Sequence, residues 1–353
     1  MMLAVYAGRG SSHSWTWLAD LFESTGIQNV RFLDSDGFVK RVSHGCDIAL
    51  LSGGDGFSIA SALSGLGFTR LKHFIESGGR YVGICAGAYL PLPSSLRPFS
   101  EFNLSSTKIE NINCTITPLE NIPPRVAVSY GRCAVVHPVR GEVELDWRGG
   151  RLKAPIYGGP IFREPDKDEV LLRYFRFTPN TEFQFVRDFA KDIVLGRPAA
   201  IRCYHGEGEL LLFGPHLEHP SYPEANSIFL ELLGLKRSEA VRVRQRKTDP
   251  GLAKVLADLK VAILGLENRS FIVGRKLWDG SRYLELQKAI EKRAWSMGPD
   301  LVEQVSSALA SVRERIMQMS IGIETDADET TGALVDAARE CVDNHFQVLV
   351  SDR

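Results

Sequence analysis

The 353-residue chain carries 42 Lys and Arg against 43 Asp and Glu, and its 44% hydrophobic and 24% charged residues are those of a globular protein with a packed core. A formal net charge of −1 supplies no global attraction to nucleic acid or to an anionic membrane. No apolar run approaches the roughly 20 residues that a bilayer requires, so neither partner is expected. The length exceeds that of a usual single core and predicts a large domain and a smaller one. The N-terminus, Met1 to Gly8, has no basic region ahead of a long apolar core and reads as a strand rather than a signal peptide, which makes the cytoplasm the expected location. Cys46, Cys85, Cys114, Cys133, Cys203 and Cys341 include no Cys-x-x-Cys pair, the pattern of neither a disulfide framework nor a zinc site. All but Cys85 are expected to be buried small hydrophobes.

In chain order, residues 2–7 form an apolar run that ends in Gly8-Arg9-Gly10-Ser11-Ser12, and Trp15, Leu18, Ala19, Leu21 and Phe22 follow at helical spacing. This is strand, Gly/Ser loop, helix, and such a loop at the end of a first strand is either a ligand contact, with Gly8 at its start, or an ordinary turn. Val30 to Leu33 reads as a second strand and Ile48 to Leu51 as a third, running into Ser52-Gly53-Gly54-Asp55-Gly56. A helical stretch from Ile59 to Phe74 with a Gly interruption leads to a strand at Tyr81 to Ile84. This alternation predicts a parallel sheet covered on both faces, with the loops at the strand carboxyl ends forming one shared rim.

After Leu90 the alternation stops. Pro91, Pro93, Pro98, Pro118, Pro123 and Pro124 punctuate short β-like runs, and residues 91–165 read as a β-rich insertion that returns to the rim through Tyr157-Gly158-Gly159-Pro160. Ala199 to His205 and Glu209 to Gly214 are expected to be two strands of a hairpin, the second feeding Pro215-His216-Leu217-Glu218, with a short helix from Glu224 to Leu235 closing the α/β domain at 1–235. Lys236, Arg237, Arg242, Arg244, Arg246 and Lys247 make 236–249 a basic linker, solvated rather than nucleic-acid-binding. From 250 to 353 apolar residues recur at helical spacing, as in Leu252, Val255, Leu256, Leu259 and Ile263, and an α-helical domain of about four helices is expected.

Attack on a carbonyl needs a nucleophile, a base, a group that orients the base and donors for the oxyanion. Gly83-Ile84-Cys85-Ala86-Gly87 has the Gly-x-nucleophile-x-Gly form of an elbow between strand and helix, in which small neighbours relieve crowding. Cys85 is therefore the candidate nucleophile, His216 the base and Glu218, two residues on in extended chain, its orienting carboxylate. The N–H groups of Ala86 and of Gly53-Gly54 are candidate oxyanion donors, and the helix that starts behind Cys85 should lower its thiol pKa. Asp55 is read either as a ligand contact or as the cap of the next helix. His205 and His219 compete with His216 for the role of base, but their spacing with Glu218 matches no common metal site, so no metal and no cofactor are expected.

The elbow together with Pro215-His216-Leu217-Glu218 resembles the class I glutamine amidotransferase-like superfamily, which implies a flavodoxin-like doubly wound parallel sheet and a Cys-His-Glu triad. Val5 to Gly10, Leu51 to Asp55, Gly83 to Tyr89 and Tyr157 to Pro160, in that order, are similar to the N-terminal domain of eukaryotic biotin-protein ligases and its stand-alone microbial relatives, over about residues 1–235. The sequence has no biotin- and ATP-binding ligase domain and no Gly-Arg-Gly-Arg-type loop, so biotinylation is not what the resemblance implies. The leading expectation is a cysteine-dependent amidase or amidotransferase-like hydrolase for a small amide or carboxylate-containing substrate, with Tyr157, Gly158 and Gly159 restricting access. Its rivals are a non-catalytic ligand-binding module signalling through the helical domain, and a glutaminase-type subunit of a separate ATP-dependent ligase. The partners considered are a small-molecule substrate, a separate synthetase and a second copy of the chain.

Overall fold

The computed structural model describes residues 1–115, 122–238, 247–266, 269–323 and 325–351. Pro118 and the basic residues Arg242, Arg244 and Arg246 of the expected linker lie outside the described residues. The first stretch alternates as its apolar runs predict: β1 (Leu3–Tyr6), α1 (Trp15–Ser24), β2 (Val30–Leu33), α2 (Ser35–Ser43), β3 (Ile48–Leu51), α3 (Gly56–Leu63), α4 (Leu66–Glu76), β4 (Arg80–Ile84) and α5 (Ala86–Tyr89). The glycine interruption in 59–74 is the break between α3 and α4, where Gly65 takes φ +65°. The chain continues through β5 (Ile112–Asn113), β6 (Ala127–Tyr130), β7 (Cys133–Val136), β8 (Val139–Trp147), β9 (Gly150–Ile156), β10 (Glu169–Phe183), α6 (Arg187–Val194), β11 (Pro198–His205), β12 (Gly208–Phe213) and α7 (Pro223–Leu232).

Nine strands form one mixed sheet in the order β2-β1-β3-β4-β12-β11-β10-β8-β9. The first five are parallel, and β1 and β3 are buried at every residue, as strands covered on both faces must be. The remaining four pair antiparallel. Here the structure extends the expected insertion. Only β5, β6 and β7 form a separate sheet, whereas β8 and β9 join the main one and β10 prolongs the β-rich region past 165 to Phe183. The reason is that β8 and β10 still direct apolar side chains inward, Val143, Leu145, Leu172 and Tyr174 being buried. The reading of the cysteines also needs correction. Antiparallel pairing of β5 with β7 brings Cys114 beside Cys133, and the two form a disulfide across 19 residues.

The C-terminal part comprises α8 (Pro250–Leu264), β13 (Ser270–Val273), β14 (Lys276–Asp279), α9 (Gly280–Arg293), α10 (Pro299–Ser320) and α11 (Ala327–Ser351). Four helices were expected, but the hairpin β13–β14 was not. The helices share a core with one face of the sheet, so that Phe346 of α11 packs on Phe32 of β2 at 5.2 Å between rings. Asp343 accepts a hydrogen bond from the Phe32 backbone N–H at 2.8 Å and pairs with Arg31 at 2.8 Å. Since β2 is the edge of the sheet, this covers an edge that would otherwise expose its donors. On the neighbouring helix α1, Asp20 and Glu23 both lie 2.7 Å from the fully buried guanidinium of Arg293. Among the described residues no helix is long and apolar enough to cross a membrane.

Candidate functional site

Cys85 sits between β4 and α5 with φ 53° and ψ −106°, in the left-handed region that a residue with a side chain avoids. Such a conformation costs about 1–3 kcal/mol and persists only where the surroundings hold it. They do so from two sides. The Cys85 N–H donates to Phe213 O on β12 at 2.8 Å, and the Gly87 N–H to Ser52 O after β3 at 3.2 Å. The flanking glycines have a steric basis: a Cβ at Gly83 would lie 2.5 Å from Gly87 O, and one at Gly87 would lie 2.1 Å from Leu51 O. Ala86, the first residue of α5, has one of the N–H groups that a helix's own ladder leaves without a partner.

The segment after β12 brings His216 to the same rim, where its N–H donates to Pro155 O at 2.8 Å. His216 Nδ1 is 2.7 Å from Glu218 Oε1, with the two side chains 3% and 0% exposed. With Nδ1 so engaged, Nε2 is left for Cys85, and the thiol and the imidazole each shift the other's titration. Trp17 and Tyr157 hold the imidazole from its flanks, with ring centroids at 5.3 and 5.6 Å. Behind Glu218 runs a chain of hydroxyls. Ser52 Oγ donates to Glu218 Oε1 at 3.5 Å, Ser14 Oγ lies 2.8 Å from Ser52 Oγ, and Ser12 Oγ lies 2.9 Å from Ser14 Oγ.

Burial opposes ionisation of the Cys85 thiol, yet the hydrogen bond with His216, its charge and that of Lys276 outweigh it and hold the thiol below its ordinary value. Burial likewise works against a charged His216, and here the Glu218 carboxylate and Cys85 prevail and raise its pKa. Both directions favour the ionised forms of the thiol and the imidazole over their neutral ones. Nearby His13, also buried, is pushed well below the usual imidazole value by desolvation and by the Arg282 charge. The shifts of His13 and His216 therefore run in opposite directions.

Cys85, His216, Gly53, Gly54 and Tyr157 line one cavity of about 240 Å³. The other sequence candidates divide. Ala86, Asp55 and Gly158 line an adjoining apolar cavity of about 260 Å³, between Phe57, Phe99 and Tyr130. Gly8 faces a third cavity, and Gly159 lines none of the three: a Cβ there would lie 1.9 Å from Gly214 O, so it serves close packing. The Gly53 N–H already donates to Ser14 Oγ at 3.1 Å, which leaves Gly54 as the better of the two loop candidates for an oxyanion donor. Asp55 caps α3 by accepting from the Phe57 N–H at 3.0 Å, and it also accepts from the Arg275 N–H at 3.0 Å, a contact across 220 residues. His205 lies against Glu76 at 3.4 Å, and His219 meets Trp17 edge-on with ring centroids 4.4 Å apart, so neither takes the place of His216.

Sequence reading did not find Trp17, Arg140, Lys276 and Arg282, which line the Cys85 cavity as well. Lys276 and Arg282 come from the hairpin β13–β14 and the start of α9. A signal for them existed in Ser270-Phe-Ile-Val-Gly274-Arg-Lys-Leu-Trp-Asp279, two short apolar runs about a two-residue turn containing Gly, which is a hairpin pattern.

A cysteine at a strand-to-helix elbow and a buried histidine–carboxylate pair thus lie at one rim of a mixed α/β sheet, the arrangement that the resemblance to the glutamine amidotransferase-like superfamily implies. More narrowly, residues 26–102, from the approach to β2 through the elbow, match the family described as "Biotin-protein ligase, N terminal". No curated protein matches the chain in sequence. Among solved structures, a glutamine amidotransferase aligns at 17% identity over 67% of this chain and 100% of its own, with a TM-score of 0.42. A β-galactosidase from Bacillus circulans sp. alkalophilus aligns at 14% identity over 70% and 32%, TM-score 0.36. A putative ThuA-like protein from Bacteroides uniformis aligns at 12% identity over 66% and 89%, TM-score 0.37.

Proposed function

We propose that this protein is a cysteine-dependent amidase or amidotransferase-like hydrolase acting on a small amide. The observation that carries the reading is the 2.7 Å His216–Glu218 bond, fully buried and set beside a cysteine held at positive φ. In the proposed reaction Cys85 Sγ attacks the amide carbonyl carbon as a thiolate. The carbonyl π electrons move to oxygen, and the Ala86 and Gly54 N–H groups are the proposed donors to that charge. His216 Nε2 gives its proton to the leaving nitrogen, the C–N bond breaks, and an acyl-thioester remains on Cys85. Water then attacks the thioester as His216 takes up a proton, releasing the carboxylic acid and regenerating the thiolate. Glu218 holds the imidazole with Nε2 toward the sulfur throughout.

The order β2-β1-β3-β4-β12 of the parallel strands supports a flavodoxin-like description of the sheet, whose ligands bind beyond the strand carboxyl ends, and Cys85 lies there. We read residues 1–235 as the catalytic domain, 250–353 as the helical domain and the cytoplasm as its location. Limiting iodoacetamide at neutral pH, followed by peptide mapping, tests the reading. Cys85 should be labelled well ahead of Cys46 and Cys341, whose thiols burial pushes up to about 12. Equal labelling of the three would remove the basis for a nucleophile.

A further inference from the structure

The cavity in front of Cys85 has an uneven distribution of charge. Lys276, Arg282 and Arg140 line it together with the exposed Arg125, and among the described residues the one carboxylate on its wall is that of Asp279. That carboxylate is already engaged: Asp279 Oδ1 accepts from the Ser281 N–H at 3.1 Å and the Arg282 N–H at 3.4 Å, capping α9. Among the described residues neither Lys276, Arg282 nor Arg140 has a carboxylate within ion-pair distance. Arg140 donates to the Tyr157 carbonyl at 2.8 Å and lies over the Tyr157 ring, which fixes its guanidinium at the cavity wall. Partly buried cations of this kind are costly to leave without a counter-charge. Desolvation pulls Lys276, Arg282 and Arg140 below their ordinary pKa values, while Cys85 pulls each of them upward.

Two of these cations come from the helical domain, Arg282 on the first turn of α9 and Lys276 on the preceding hairpin, which is pinned at its tip. Its turn donates from the Arg275 N–H to Asp55 and from the Gly274 N–H to Asp328, at 3.0 and 2.8 Å. The Arg275 guanidinium lies 3.6 Å over the Phe57 ring, and its Nη1 reaches Ser129 O at 3.4 Å. The helical part thus contributes directly to the wall of the Cys85 cavity.

Building on the hydrolase reading above, we infer that the hairpin completes an anion-binding subsite, and that the substrate is an amide carrying a carboxylate or phosphate group beside the scissile carbonyl. Lys276 and Arg282 hold that anion from the helical domain and Arg140 from the opposite wall, while the carbonyl faces Cys85.

The test compares two alkylating agents of nearly equal size and opposite suitability for the subsite, iodoacetate and iodoacetamide, on the full chain at neutral pH. For each variant the rate of Cys85 modification by iodoacetate is divided by that for iodoacetamide, so changes in thiol reactivity cancel. The wild type should show a ratio about tenfold or more above that of free glutathione under the same conditions, and the ratio should fall as salt is raised. It should return to the glutathione value in the K276M/R282Q double variant and be largely retained in K276R. Protection of Cys85 by malonate but not inorganic phosphate assigns a carboxylate, and the reverse assigns a phosphate. A wild-type ratio equal to that of glutathione, or a ratio unchanged in a folded K276M/R282Q protein, overturns the subsite. Slow modification by iodoacetamide itself is a different failure, since it removes the activated thiolate.

Discussion

The Cys85 elbow and the β13–β14 hairpin face the same cavity, but different forces hold them there. The elbow is fixed by its own neighbours: two glycines permit the close approaches, and the N–H groups of Cys85 and Gly87 reach the adjoining strand and loop. The hairpin, 185 or more residues further along, depends on docking. Its position rests on Asp55 at the turn, on Asp343 at the sheet edge and on Arg293 against Asp20 and Glu23. The strained backbone at Cys85 therefore rests on close local approaches, whereas the cations before it are set by a tertiary contact. The two should be separable by mutation.

The largest effect is expected for Cys85→Ala. Hydrolysis of p-nitrophenyl acetate, used as a general acyl donor, should fall by at least about 10³-fold to the uncatalysed background, with no burst of nitrophenol. Glu218→Gln should come next, at about 10²–10⁴-fold, because it keeps the shape of the pair but removes the charge that raises His216. The pH profile adds a sign. In the wild type, activity should rise through a thiol pKa below the ordinary cysteine value and fall only where His216 loses its proton, above the ordinary imidazole value. In Glu218→Gln the alkaline limb should move to lower pH. A profile that kept its alkaline limb in place would mean that Glu218 does not sustain the imidazolium.

Gly87→Ala tests the elbow through stability. A methyl group 2.1 Å from Leu51 O requires the backbone to shift, at a cost of about 3 kcal/mol, read as a lowered urea midpoint. Asp55→Ala should have the smallest effect on folding, about 1 kcal/mol for the lost cap of α3, while loosening the hairpin turn. It should thus lower the iodoacetate-to-iodoacetamide ratio more than the iodoacetamide rate. Equal losses in both would show that the hairpin and the elbow are not independent.

The candidate site was legible in unequal measure. Gly-x-Cys85-x-Gly and the His216–Glu218 spacing could be read because local geometry decides both: one needs small flanks, and the other needs an i,i+2 pair in extended chain. Asp55 could not be resolved between ligand and cap, because its second partner is the Arg275 amide from a distant turn. The hairpin was overlooked amid strong helical periodicity on both sides, although Gly274 and the short apolar runs were visible. Cys114 and Cys133 looked like isolated thiols because only the pairing of β5 with β7 makes them neighbours.

By itself the sequence determined the alternation of strands and helices to residue 90, the elbow and the late histidine–glutamate pair, since each follows from hydrophobic periodicity or from sterics within a few residues. Only the tertiary structure decided that β8, β9 and β10 extend the main sheet, that Asp343 covers its edge, and that Lys276 and Arg282 stand before Cys85. Those outcomes depend on which apolar faces dock and which distant charges meet, and neither leaves a period or a spacing in the chain.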